Sequence, residues 1–168
     1  MTEIAKPSSH EAMMIVEATE QDFAALIEGR APRDLRLADT PIASPEILGM
    51  LAEVAALVRE SFSPVAWLIV SDRELVGLCS VTHPPENGVI DIGYGIAPSR
   101  QGQGHAGAAI RDILRWAETN PAVRAITADT SPANTASIRV LERAGFTRTG
   151  ERWDEEDGQL IEWRRETA

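Results

Sequence analysis

A single-domain α/β (α+β) fold, a mixed central sheet flanked by helices, is what this 168-residue chain predicts. Short apolar runs with twofold alternation take turns with longer runs whose apolar residues recur every three or four positions. Helix-start and turn signals fall between them, and no repeat, linker or low-complexity block interrupts the series. The composition, 43% hydrophobic and 25% charged, is that of a globular domain with one sizeable core.

Residues 1–12 read as a flexible N-terminal tail and 13–168 as the domain. Met13 to Ala18 forms the first expected strand. Thr19 and Asp22 have capping-box spacing, so Phe23, Leu26 and Ile27 belong to a short helix stopped at Gly29. Arg30 to Thr40 is polar and basic, with no clear period. Ser44-Pro45-Glu46 supplies an N-cap, a proline for the first turn and an acid, opening a helix to about Glu60. Its expected buried stripe is Ile47, Leu48, Leu51, Ala55 and Val58. A hairpin follows, Ala66 to Val70 and Leu75 to Val81, turning at Ser71-Asp72-Arg73-Glu74. Beyond a proline-containing loop, Val89 to Ile96 alternates as a strand. Ala106, Ala109, Ile110, Ile113, Leu114 and Ala117 then recur at helical spacing, until Asn120-Pro121 forces a break. A strand from Ala125 to Thr130, a helix from Asn134 to Ala144, and a closing pair, Phe146 to Arg152 and Gln159 to Arg165, complete the chain. The order is β-α-α-β-β-β-α-β-α-β-β.

The junction between the strand ending at Ile96 and the helix beginning near Ala106 carries the most chemistry. Pro98-Ser99-Arg100-Gln101-Gly102-Gln103-Gly104-His105-Ala106-Gly107 puts small residues at a helix mouth, where backbone N–H groups stay uncovered and the helix end carries partial positive charge. Such a junction cradles a phosphate. A Walker loop would need Gly-Lys-Ser/Thr where His105-Ala106-Gly107 stands. Gly102-x-Gly104-x-x-Gly107 matches the dinucleotide fingerprint, and Asp129 lies about twenty residues on. That fingerprint belongs in the tight turn directly after a strand, whereas Pro98 to Gln101 intervene, and residues 108–168 are too few for the remaining parallel strands.

Gln101-x-x-Gly104-x-Ala106 resembles the acyl-CoA signature of the GNAT N-acetyltransferase superfamily. Asn134-Thr-Ala-Ser137 through Leu141 to Gly145-Phe146 is similar to its second signature, an Asn opening a helix that ends in Gly-Phe. The two stand in the right order, about thirty residues apart. The resemblance implies a mostly antiparallel sheet and acetyl transfer from acetyl-CoA, used as a cosubstrate without a metal. It implies cofactor contacts at Ile96, Gln101, Gly102, Gln103, Gly104, His105, Ala106, Gly107, Asn134 and Ser137. It also implies that the strand bearing Gly93 and Gly95 splays from its neighbour to admit pantetheine. His105 reads foremost as a packing residue within the cradle.

Acetyl transfer to an amine asks for removal of a proton from nitrogen and delivery of one to sulfur. Asp91, on the same face as Gly93 and Gly95 by alternation, stands where related enzymes place a carboxylate for the first task. Asp129 is the second candidate. The tyrosine that many GNAT enzymes use to protonate the thiolate is replaced by Leu141. The pattern Asn134-x-x-Ser137, with the ending Gly158-Gln-Leu-Ile-Glu-Trp163, resembles the branch that acetylates ribosomal-protein N-termini, where a serine at the Ser137 position is assigned that role. Tyr94, the one tyrosine of the chain, lies in a strand and cannot be carried onto the helix position. A terminal amine titrates near pKa ~8 and a lysine near ~10.4, so the former asks less of a base. The expected acceptor is therefore a protein or peptide N-terminus. A small amine (antibiotic, polyamine or amino acid) is the rival acceptor, and a non-catalytic acyl-CoA-binding module the alternative of another class.

The net charge of −10 argues against nucleic acid as a partner, tolerates a cationic substrate, and requires local donors for a polyanion such as coenzyme A. No run is long and apolar enough for a membrane span, and no secretory signal opens the chain, so a cytoplasmic protein, monomer or homodimer, is expected. Cys79, within an apolar strand, reads as a buried structural thiol. His10, His83 and His105 lack metal-ligand spacing. Trp67, Trp116, Trp153 and Trp163 read as core or interface residues.

Overall fold

The computed structural model describes residues 13–167, so the expected tail at 1–12, with His10, lies outside the described residues. The elements are β1 (Met13–Glu17), α1 (Glu20–Ile27), β2 (Arg36–Leu37), α2 (Pro45–Arg59), β3 (Ala66–Ser71), β4 (Glu74–Val81), β5 (Val89–Ile96), a 3-10 turn (Pro98–Arg100), α3 (His105–Glu118), β6 (Ala125–Thr130), α4 (Thr135–Arg143), β7 (Thr147–Asp154) and β8 (Gly158–Glu166). One sheet takes the order β1-β3-β4-β5-β6-β8-β7, with β2 appended to β4. Its neighbours run antiparallel except β5 with β6 and β2 with β4.

Local chemistry sets these boundaries. The Thr19 hydroxyl accepts from the Asp22 amide while the Asp22 carboxylate accepts from the Thr19 amide, closing the capping box of α1. Ser44 Oγ accepts from the Ile47 amide with Pro45 in the first turn, starting α2. Asp72 and Arg73, at φ +50° and +66°, reverse the chain between β3 and β4. The core fills both sides of the central strands: Leu68, Ile69, Leu75, Ile90, Ile92 and Ile126 are essentially inaccessible. The buried stripe of α3 is Ala109, Ile110, Ile113, Leu114 and Ala117. Trp67, Trp116 and Phe62 form an edge-to-face cluster, with ring centroids at 5.2 and 6.4 Å.

Two details differ from the expectations above, and a third selects between alternatives. Strand β2 lies in the segment that shows no period, because Arg36 and Leu37 are both exposed and leave no alternation to read. It pairs with Glu74 and Leu75, ahead of the point where the ladder of β5 begins at Gly77. Ile47 is 50% exposed, since α2 turns only Leu48, Ala55 and Val58 fully inward. Trp153 is 71% exposed on the β7–β8 hairpin, whereas Trp67 and Trp163 are buried.

Candidate active site

The site begins with a break in the sheet. Strand β5 pairs with β4 along Ile92 to Ile96, but with β6 only from Val89 to Ile92, opposite Ala125 to Ala128. Beyond that point Gly93 to Ile96 form an arm with no ladder to β6, and Asp129 and Thr130 pair only with β8. Two glycines on one face of the arm keep the opening clear: a Cβ at Gly95 would meet nothing within 4 Å, and one at Gly93 only the Thr82 methyl at 3.5 Å.

Two concavities flank this break. On one face lies a cleft of about 550 Å³ between β5, the cradle and α4. Its floor runs from Arg100 through the helix mouth and is built as the motif requires. Gly102 and Gly104 take φ +77° and +83°, the left-handed region in which glycine is at ease. Gly104 is the N-cap of α3, no side chain caps it, and the first turn carries no acid. The amides of the first turn therefore lack intrahelical partners and face an open approach. Gln101 Nε2 donates to the Ile96 carbonyl at 3.1 Å, tying the loop to the end of β5. Asn134 caps α4, its Oδ1 accepting from the Ser137 amide at 3.1 Å.

Ile96, Gln101, Gly102, Gly104, His105, Ala106, Gly107, Asn134 and Ser137 all line this cleft. Gln103 does not; its side chain meets His105 Nε2 at 3.2 Å. Burial lowers the His105 pKa, with Glu74 acting in the opposite sense. Sequence reasoning missed Tyr94, Arg139 and Arg143, which also line the cleft. Arg139 and Arg143 stand four apart on α4 and form no ion pair among the described residues. They supply positive charge in a molecule of net charge −10, and their spacing was the available signal. Arg100 is committed elsewhere, to Glu74 at 2.5 and 3.0 Å and Asp39 at 3.3 Å. The Tyr94 hydroxyl is buried with no hydrogen-bond partner among the described residues, a state that costs about 1–3 kcal/mol.

The second concavity, also about 550 Å³, lies where Asp91, Thr127, Asp129, Arg152 and Glu162 gather. Strand alternation puts Asp91 on the face opposite Tyr94. Its carboxylate accepts from Thr82 Oγ1 and Thr127 Oγ1, both at 2.6 Å. Burial pushes the Asp91 pKa up; the two threonines oppose this, and the negative charge of Asp129 adds to it. Asp129 is engaged by Arg152 at 2.5 Å, and Arg152 also approaches Glu162 at 3.7 Å and Asp154 at 3.8 Å. Asp91 is thus the carboxylate of this concavity that has no arginine partner among the described residues.

Elsewhere, Leu141 is completely buried, so α4 offers the cleft no group from that position. Cys79 is buried, which raises its thiol pKa and keeps it protonated. Among the described residues, no group of three or more His, Cys, Asp or Glu side chains could hold a metal ion. No helix among them is long and apolar enough to cross a membrane. The cleft suits a long anionic ligand: open amides and two arginines for phosphates at one end, a gap in the sheet at the other.

Residues 13–147 match the model of an acetyltransferase (GNAT) domain. An uncharacterized N-acetyltransferase of Bacillus subtilis, YjdG, is 33% identical over 84 residues, 48% of this chain and 50% of that protein. The p20 protein of Bacillus licheniformis, also an uncharacterized N-acetyltransferase, is 29% identical over 98 residues, 56% of this chain and 55% of its own. The chain thus spans about half the length of the curated relatives it matches. Among the solved structures that share the fold are the following three. RimL, a ribosomal L7/L12 alpha-N-protein acetyltransferase in complex with coenzyme A, superposes with a TM-score of 0.70 at 21% identity, covering 98% of both chains. The ribosomal-protein-S5-alanine acetyltransferase of Vibrio fischeri gives 0.68 at 16%, covering 93% of both. The AAC(6')-Ib enzyme, in complex with paromomycin and acetyl-CoA, gives 0.65 at 20%, covering 92% of this chain and 93% of its own.

Proposed function

The chain belongs to the GNAT acetyltransferase family, and on that premise we propose that it moves an acetyl group from acetyl-CoA to a primary amine, a protein or peptide N-terminus. The observation that carries this reading is the pair of concavities flanking the point where β5 and β6 part, the cradle cleft on one face of the sheet and the arginine-free carboxylate of Asp91 on the other. Acetyl-CoA, when bound, supplies an activated acetyl thioester. The cradle amides from Gly102 to Gly107, with Arg139 and Arg143, hold its phosphates. The opening beside Gly93 and Gly95 passes the narrow arm of the ligand toward the other face.

Asp91 takes the proton that the amine must lose, directly or through one water, and its raised pKa makes it a stronger base than an ordinary carboxylate. Asp129, neutralised by Arg152, is the weaker candidate. Ser137, fixed at the first turn of α4 by Asn134, delivers a proton to the departing sulfur. The acceptor assignment is supported by the smaller demand of a terminal amine near pKa ~8 and by the Asn134-x-x-Ser137 pattern. One structural relative, moreover, is named an alpha-N-protein acetyltransferase and another a ribosomal-protein-S5-alanine acetyltransferase.

The experiment is acetyl-CoA turnover with peptides that differ only in a free or blocked N-terminus, each product located by mass spectrometry. Acetylation of the free terminus and none of the blocked peptide is the expected result. Acetylation that survives blocking, or turnover of small amines alone, transfers the assignment to a small-molecule acceptor. Binding of acetyl-CoA without turnover of any amine would leave a binding module.

A further inference from the structure

Tyr94 holds the one buried side-chain hydroxyl that lacks a hydrogen-bond partner among the described residues. Such a group calls for an explanation, a strained site, a bound water or a catalytic role, and its place in the cleft directs attention to the last. Tyr94 lines the cleft from the unpaired arm of β5, and Ser137 lines the same cleft from the first turn of α4. Leu141, where the family resemblance leads one to look for a phenol, is completely buried, so the single phenol of the chain enters the cleft from the strand instead.

We propose that Tyr94 is the positioning residue for Ser137: its phenolic O–H donates to Ser137 Oγ, and the two hydroxyls form a relay that ends at the thioester sulfur. The inference rests on the assignment of Ser137 above. As the C–S bond breaks, its electron pair passes to sulfur, sulfur takes the Ser137 proton, and Ser137 oxygen takes the proton of Tyr94. Solvent reprotonates the phenolate after product leaves, and the proton lost by the amine passes through Asp91 to solvent. A serine hydroxyl alone is a far weaker acid than the thiol it must form. A phenol, even one whose pKa burial has raised, is a much stronger acid than a serine hydroxyl, so the relay narrows the mismatch. Consistent with their proximity, burial pushes the Tyr94 phenol up in pKa while the Ser137 hydroxyl acts to lower it.

Because Tyr94 is the only tyrosine, the tyrosinate ultraviolet absorbance of the unliganded protein titrates this group alone. Ser137→Ala is expected to move that titration to higher pH. Tyr94→Phe keeps the ring and loses only the hydroxyl, so its melting temperature should stay within a few degrees of the wild type and the variant should remain folded. Its kcat should fall about tenfold or more with KM for acetyl-CoA unchanged. Ser137→Ala should behave alike in kcat, and the double variant should be no slower than the slower single one. If Ser137→Ala turns over at the wild-type rate, the assignment of Ser137 fails and the relay with it. If Ser137→Ala is slow but Tyr94→Phe is not, if their losses multiply, or if the Tyr94 titration ignores Ser137→Ala, the relay alone is overturned.

Discussion

Asp91 sits in an environment that favours its protonated form. Its folded pKa is raised by burial, against the pull of Thr127 and Thr82, so the stabilisation it gives is complete below the unfolded value of ~3.9 and is lost as pH rises through the folded one. Asp91→Asn should therefore raise the melting temperature at neutral pH, with little change in acid. It should also lower kcat by about a hundredfold. In the wild type, kcat/KM should decline as pH falls through the raised Asp91 pKa, and calorimetry beside a pH–rate profile checks both signs. At the other end of the site, Gly104 combines φ +83° with empty space where a side chain would begin, no atom lying within 4 Å of that point. Gly104→Ala should cost about 1–2 kcal/mol in backbone strain and weaken acetyl-CoA affinity, read by titration calorimetry. Retained affinity would show that the amides beside Gly104 do not carry the phosphates. Both residues stand out in the sequence, one as a glycine in a helix-mouth motif and one as a carboxylate among strand glycines. The coupling of Asp91 to Thr82 and Thr127 does not, because those partners lie 9 and 36 residues away.

Among the elements, β5 and α4 control the cleft. The free arm of β5 packs so tightly on β4 that a Cβ at Gly77 would meet the Gly95 carbonyl at 2.6 Å and Ile96 Cδ1 at 2.7 Å. Gly77→Ala should push that arm outward, destabilise by about 1–3 kcal/mol and raise KM for acetyl-CoA, although the residue touches no ligand. On α4, replacing Arg139 and Arg143 together by Ala should weaken acetyl-CoA binding about tenfold, by an amount that shrinks as salt is added. An unchanged affinity at low salt would place the phosphates on the amides alone. The two arginines are visible at helical spacing, but an arginine on a helix face usually reads as solvated; only the packing of α3 with α4 turns this face toward the cradle.

Across the molecule, the sheet is continuous at the base of β5 and β6 and unpaired above, and one fold presents a cleft on each face beside that opening. Binding free coenzyme A should slow hydrogen exchange at Gly93 to Ile96 and at the cradle from Gly102 to Gly107. It should also stabilise the fold by about 2.7 kcal/mol at a ligand concentration a hundredfold above Kd. Protection confined instead to the face of Asp91 and Arg152 would reverse the assignment of the two concavities. The net charge of −10 does not decide where a polyanion binds, since the cleft gathers its positive charge locally.

The fold class, most element boundaries and the cradle are all legible in the unfolded chain. They depend on periodicity, capping residues and glycine positions within a dozen residues of one another, and such signals survive without knowledge of the rest of the molecule. Asp91 shows itself on the glycine face of its strand for the same reason. Where β5 leaves β6, that Arg152 occupies Asp129 but not Asp91, and that Tyr94 enters the same cleft as Ser137 are matters of long-range packing. So is the addition of Arg36 and Leu37 to the sheet. Each of these depends on contacts between residues far apart in the chain, whose geometry is set by how helices and strands pack together, and no local pattern of apolar and polar residues encodes it.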